Sequence, residues 1–222
     1  MAEASIDVHL LPILDQITKL IADEELNRAS LVHTYPGIGD RYPDMYREGH
    51  VQSVLFCGLR TSNYFTIAEA NYINPTSIYR KIDLAVWLPD ARLWLYLELK
   101  PCPPVGAIAD VLLDAKKLVD DRPTDPRDRL RGILAYGLRN PVQWDGFPNK
   151  YRQLGEILLR DYGFQEVGIR SRSLKGTPSL YVQAGLWVTE QIAEPAPVPH
   201  PSALLAQAPS AEPVAAPDCP RE

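Results

Sequence analysis

The chain has 222 residues, 45% of them apolar, with a net charge of −5 and three cysteines. That is enough for one ordinary domain with a real core, but it lacks the run of ~18–20 apolar residues that a membrane span needs and the basic balance of a protein that coats nucleic acid. Cys57, Cys102 and Cys219 are odd in number, far apart and without metal-site spacing, so neither a disulfide framework nor a zinc site is expected.

The first residues are acidic and lack the basic-then-apolar order of a signal peptide, so a cytoplasmic location is expected. Residues 5–28 place Ile6, Leu10, Ile13, Leu14, Ile17, Leu20 and Ile21 at helical spacing, with Pro12 early enough to kink only the first turns. Residues 33–44, with Pro36, Gly37, Gly39 and Pro43, form a loop. A second helix is predicted from about Asp44 to Leu59, with Met45, Val51, Val54 and Leu55 inward and Cys57 as a small buried residue. Strands are predicted at 64–72, 80–88 and 92–100, then a helix at 105–121 carrying Ile108, Val111, Leu112, Ala115 and Leu118. The stretch 120–129, with Pro123 and Pro126, is a loop. A buried strand at 130–138 and a helix at about 149–161 follow. Asn149 is the expected N-cap of that helix, and Gly163 lies just past its end. The strands 164–172 and 179–189 close the domain around a turn at Lys175-Gly176-Thr177-Pro178.

Residues 191–222 are rich in Pro and Ala and have no periodicity. They read as a disordered tail that holds much of the negative charge, in Glu194, Glu212, Asp218 and Glu222 against Arg221. The folded part is therefore expected over residues 1–190. Its order of elements, three strands and then a helix crossing to another strand, implies an α/β fold with a mixed central sheet flanked by helices.

The segment from Lys81 to Lys100 has one turn signal, Pro89-Asp90-Ala91-Arg92. A hairpin folded about Asp90 and Ala91 sets Leu88 opposite Leu93, Val86 opposite Leu95, Leu84 opposite Leu97 and Ile82 opposite Leu99. That face is wholly apolar. The other pairs Trp87 with Trp94, Ala85 with Tyr96, Asp83 with Glu98 and Lys81 with Lys100. A slip of one residue would mix the two sets. The aromatic residues on the charged face imply that something covers it. In this register two carboxylates face each other with β-carbons ~5 Å apart, which is unfavourable unless a cation offsets them. Mg²⁺ or Mn²⁺, taking oxygen ligands, does so. Lys100 projects from the same face, where an ammonium can help deprotonate a water or stabilise charge growing on phosphorus.

Ile82-Asp83-Leu84, a fourteen-residue gap and Glu98-Leu99-Lys100 between apolar flanks resemble the PD-(D/E)XK nuclease superfamily, which has the restriction-endonuclease-like fold. Ile82 stands where the motif's name has Pro. The likeness covers approximately residues 44–140. It implies a restriction-endonuclease-like core, metal ligation by Asp83, Glu98 and the Leu99 carbonyl, and a catalytic role for Lys100. It also implies a further acid from the preceding helix or first strand, for which Glu48 and Glu69 are the candidates. Arg80, Lys81, Lys116 and Lys117 are candidate nucleic-acid contacts. His9, His33, His50 and His200 form no triad or ligand spacing.

Three functions fit these residues. The first is a Mg²⁺- or Mn²⁺-dependent nuclease, with DNA the preferred substrate. The second is an inactive module on the same fold that binds nucleic acid or a protein partner. The third is a structural protein in which Lys81 and Lys100 neutralise Asp83 and Glu98. The oligomeric state is open, a homodimer included.

Overall fold

The computed structural model describes residues 7–34, 48–74, 77–101, 108–120, 127, 130–139, 148–174 and 180–190. The expected loop at 33–44 from Tyr35 on, Met45, Cys102, Cys219, His200, the 175–178 turn and the tail lie outside them, as do the side chains of Arg80 and Asn149. The elements run α1 (Asp7–Thr34), α2 (Glu48–Thr61), β1 (Thr66–Asn74), β2 (Ser77–Leu88), β3 (Leu93–Pro101), α3 (Ile108–Asp120), β4 (Leu130–Arg139), α4 (Pro148–Tyr162), β5 (Gln165–Ser173) and β6 (Tyr181–Glu190). The sequence predicts each of these elements in this order. The main shift is that α1 runs on to Thr34.

The six strands form one mixed sheet in the order β1-β2-β3-β4-β6-β5. Only β3 and β4 pair in parallel, because α3 carries the chain from the end of one to the start of the other. Alternation along the strands sorts side chains to two faces. Leu84, Val86, Leu95, Leu97, Leu99 and Leu134 pack under α1 and α2. Ile133, Ala135 and Trp187 pack under α3 and α4. The result is a three-layer α/β/α arrangement. Among the described residues no helix is long and apolar enough to cross a membrane.

Local signals set the helix ends. Gly163, at φ +72, ends α4, and Asn63, at φ 67, does the same for α2. Cys57 is exposed rather than buried. The buried residues of α2 are Val51, Leu55 and Leu59, a four-residue repeat that leaves position 57 on the far side.

One close approach in the second core sets a test. A Cβ on Gly185 would lie 2.5 Å from the Trp187 ring and 3.0 Å from Tyr151. These two buried rings stack with centroids 5.9 Å apart and have no room to yield. Gly185→Ala is expected to destabilise the fold by ~1–3 kcal/mol. Urea unfolding would show a lower midpoint at unchanged slope.

Candidate active site

The hairpin adopts the predicted register from Leu88↔Leu93 to Leu84↔Leu97. There the ladder stops. Asp83 does not pair with Glu98 across it, nor Ile82 with Leu99, nor Lys81 with Lys100. At the same level β1 is irregular: Glu69, beside Asp83, has φ 48, and the β1–β2 pairs pass from Ala68↔Leu84 to Ala70↔Ile82. β2 turns about its axis here. Leu84 packs under α2 while Ile82, two residues earlier, packs against Val111, Ala115 and Leu118 of α3.

Where two strands part, backbone groups lose their ladder partners, and buried ones need replacements. Each replacement here is a side chain. The Leu99 N–H donates to Asp83 Oδ2 at 2.7 Å. The Asp83 carbonyl accepts from Gln52 Nε2 at 2.7 Å. The Lys81 carbonyl accepts from Lys117 Nζ at 2.9 Å. Thus α2 and α3 each hold the split open with one long side chain. Leu99 presents its N–H toward Asp83, and in a strand the carbonyl of the same residue opens to that side too.

Six ionisable groups gather at this split. Lys117 Nζ also donates to Glu98 Oε1. Lys100 Nζ lies 2.9 Å from Glu48 Oε2 and 2.9 Å from Asp114 Oδ2. Glu98 is buried, whereas Asp83, Glu48, Asp114, Lys100 and Lys117 are half-buried. Four acids against two lysines leave an excess of negative charge. Burial, and then the charge of Asp83, push the Glu98 carboxyl up to about 8, against the opposing effect of Lys117. For Lys100, burial works against the charge, but the hydrogen bonds to Glu48 and Asp114 outweigh it and hold the ammonium above its ordinary range. A lysine so held is a poor proton acceptor near neutral pH. It stands in the site as a fixed positive charge.

The sequence-derived candidates divide cleanly. Asp83, Glu98, Leu99, Lys100, Glu48 and Lys117 meet at the split. Lys81 turns away to pair with Glu69 on the exposed side of β1, and Lys116 pairs with Asp120 at the surface. These three stand apart from the cluster. His50 binds Glu24 of α1 at 3.0 Å. Two participants were not among the candidates, Gln52 and Asp114. Each had a helical signal: Gln52 lies four residues after Glu48 and Asp114 three before Lys117, so each shares a helix face with a candidate. Arg131 is a further buried cation, on β4 opposite Tyr96. Its guanidinium lies 6.0 Å from the Tyr96 ring, and burial pulls it down to about 9.

Comparison with protein-family models, curated proteins and solved structures finds no match to this chain. The chemistry of the site must therefore be read from its own residues. Among the described residues, no three His, Cys, Asp or Glu side chains are grouped as ligands for one ion. Asp83 and Glu98 provide two carboxylates, and the Leu99 carbonyl is the third oxygen on that side.

Proposed function

We propose that this chain is a divalent-cation-dependent nuclease of the PD-(D/E)XK kind, cutting phosphodiester bonds in nucleic acid, with DNA the preferred substrate and the cytoplasm its location. The observation that carries the reading is the split between β2 and β3. It brings Asp83, Glu98 and Lys100 to one place and leaves a negative excess there. Further support comes from the order α2-β1-β2-β3-α3, a helix, three strands and a helix, as the resemblance implies for a restriction-endonuclease-like core.

The donor set fits a hard cation. Asp83, Glu98 and the Leu99 carbonyl would hold Mg²⁺ or Mn²⁺, which normally retains water and substrate oxygens in its other positions. Burial, and then the charge of Asp83, make the ionised Glu98 unfavourable, a cost that a bound cation would offset. When bound, the ion provides neutralisation of phosphate oxygens and a more acidic water. The chain's own residues do the rest. Lys100, held by Glu48 and Asp114, sets a fixed positive charge beside the carboxylates, where charge builds on the phosphoryl oxygens. Gln52 and Lys117 take over the freed backbone carbonyls of Asp83 and Lys81, so that the two strands stay apart beside the carboxylates.

A second reading, an inactive module on the same fold, is favoured by the Glu98–Lys117 contact, which already occupies one carboxylate oxygen. Calorimetric titration with Mn²⁺ separates the two. The nuclease reading expects one ion bound per chain, lost in Asp83→Asn, together with Mn²⁺-dependent cleavage of oligonucleotides. No heat and no cleavage would leave the inactive module.

A further inference from the structure

The site shares its sheet face with a row of aromatic side chains. Trp87 pairs with Trp94 and Ala85 with Tyr96, so Trp94, Tyr96, Glu98 and Lys100 follow one another on one face of β3. Trp87 N–H donates to the Phe65 carbonyl, which sets Phe65 next in the row, with Ile67 beside it on β1. The rings touch: Phe65 meets Trp94 edge-on at 5.7 Å, and Trp94 meets Trp87 at 5.3 Å. The sequence predicts that this face is covered. Cover reaches only part of it. Lys117 of α3 lies on Glu98, and Tyr96 and Ile82 pack against the α3–α4 core, but among the described residues α3 and α4 otherwise pack chiefly on each other and on β4, β5 and β6. Phe65 is left 59% exposed and Ile67 40% exposed.

We propose that the open face formed by Phe65, Trp87, Trp94 and Ile67 is a stacking platform for unpaired bases, so that the chain takes single-stranded nucleic acid, or a single-stranded end, across β3 into the split. This rests on the nuclease reading and names its substrate class. Three observations direct it. Three of the four side chains are rings, Phe65 exposed and Trp87 and Trp94 half-buried, and rings on a sheet surface stack on bases that are not paired. In a duplex those base faces are turned inward and out of reach. The platform also continues along the same strand face to Glu98, four residues from Trp94 or ~13 Å, a distance that a few nucleotides span. Finally, a stable protein interface needs ~800 Å² from each partner. Four side chains, two of them partly covered, supply much less, which disfavours a protein occupant or a second copy.

The test uses the full chain in chelator, so that binding is read without cleavage. The probe is a fluorescein-labelled oligothymidylate of about twelve nucleotides, compared by anisotropy with a duplex of the same length. The single strand is expected to bind more tightly than the duplex. Phe65→Ala is expected to weaken single-strand binding ~10-fold with an unchanged melting temperature, and Phe65→Trp to keep it. Equal affinity for duplex and single strand, or binding indifferent to Phe65→Ala, overturns the platform. So does a Phe65→Ala variant that instead turns a dimer into a monomer, since the face is then a contact between copies. Failures of the two proposals are distinguishable. A chain that cleaves duplex but passes none of these binding tests keeps the nuclease and loses the platform. One that binds single strands through Phe65 yet cleaves nothing with Mn²⁺ does the reverse.

Discussion

Asp83→Asn is expected to lower Mn²⁺-dependent phosphodiester cleavage ~10³-fold or more while leaving the fold intact. The choice of Asn matters because Asp83 does two things. Its Oδ2 accepts the Leu99 N–H at 2.7 Å, a structural bond at the point where the strands part. Asn retains an oxygen for that bond and removes only the charge. Asp83→Ala would leave the buried N–H unpaired, at ~1–3 kcal/mol, and confuse a loss of stability with a loss of chemistry. Two comparisons place the effect. Lys100→Met removes the fixed cation and is expected to lose ~10²–10³-fold in the chemical step. Asp114→Asn loosens Lys100 without touching substrate, so a smaller loss of ~10–100-fold is expected. Unfolding midpoints for all three report whether stability accounts for the change. Cleavage by Asp83→Asn at the wild-type rate would remove Asp83 from the site.

The contrast between Asp83 and its neighbours also shows which parts of this molecule are written locally in its sequence. Helical and alternating periodicity are short-range properties, so all ten elements were legible, and the hairpin register followed from the Pro89–Arg92 turn. The split beyond Leu84↔Leu97 was not. It depends on Gln52 and Lys117, which come from helices distant in sequence and take over backbone groups that an ideal ladder would have satisfied. Strict alternation therefore placed Ile82 with Leu84, whereas the turn of β2 at Asp83 sends it to the opposite core. The same limit explains Asp114. No local pattern shows that it reaches Lys100, and only its helical spacing from Lys117 hinted at the site. Exposure of the aromatic face was equally hidden, because pattern tells which side chains share a face but not how far the next layer extends over it.

Replacing Glu98 with Gln is expected to make the metal-free protein more stable above neutral pH, a sign opposite to that of an ordinary buried ion pair. The folded state pushes this carboxyl from 4.5 to about 8. Below about pH 4.5 folded and unfolded chains both hold the proton, and the group costs nothing. As pH rises from there, the unfolded chain releases its proton first, so stability declines until the folded carboxyl also ionises near pH 8. Above that the loss is complete, on the order of 5 kcal/mol from this group. Glu98→Gln keeps the shape and abolishes the ionisation, so the difference between variant and wild type should grow across that window and level off above it. Paired urea-unfolding curves at pH 5 and pH 8.5 measure it, with other carboxylates cancelling in the difference. Saturating Mn²⁺ should raise wild-type stability at pH 8.5, because a ligand that binds only the folded state stabilises it, and should do far less for the variant. If Glu98→Gln proves less stable than wild type at pH 8.5, then the contact with Lys117 is a stabilising bridge, and the split is architecture rather than a site waiting for positive charge.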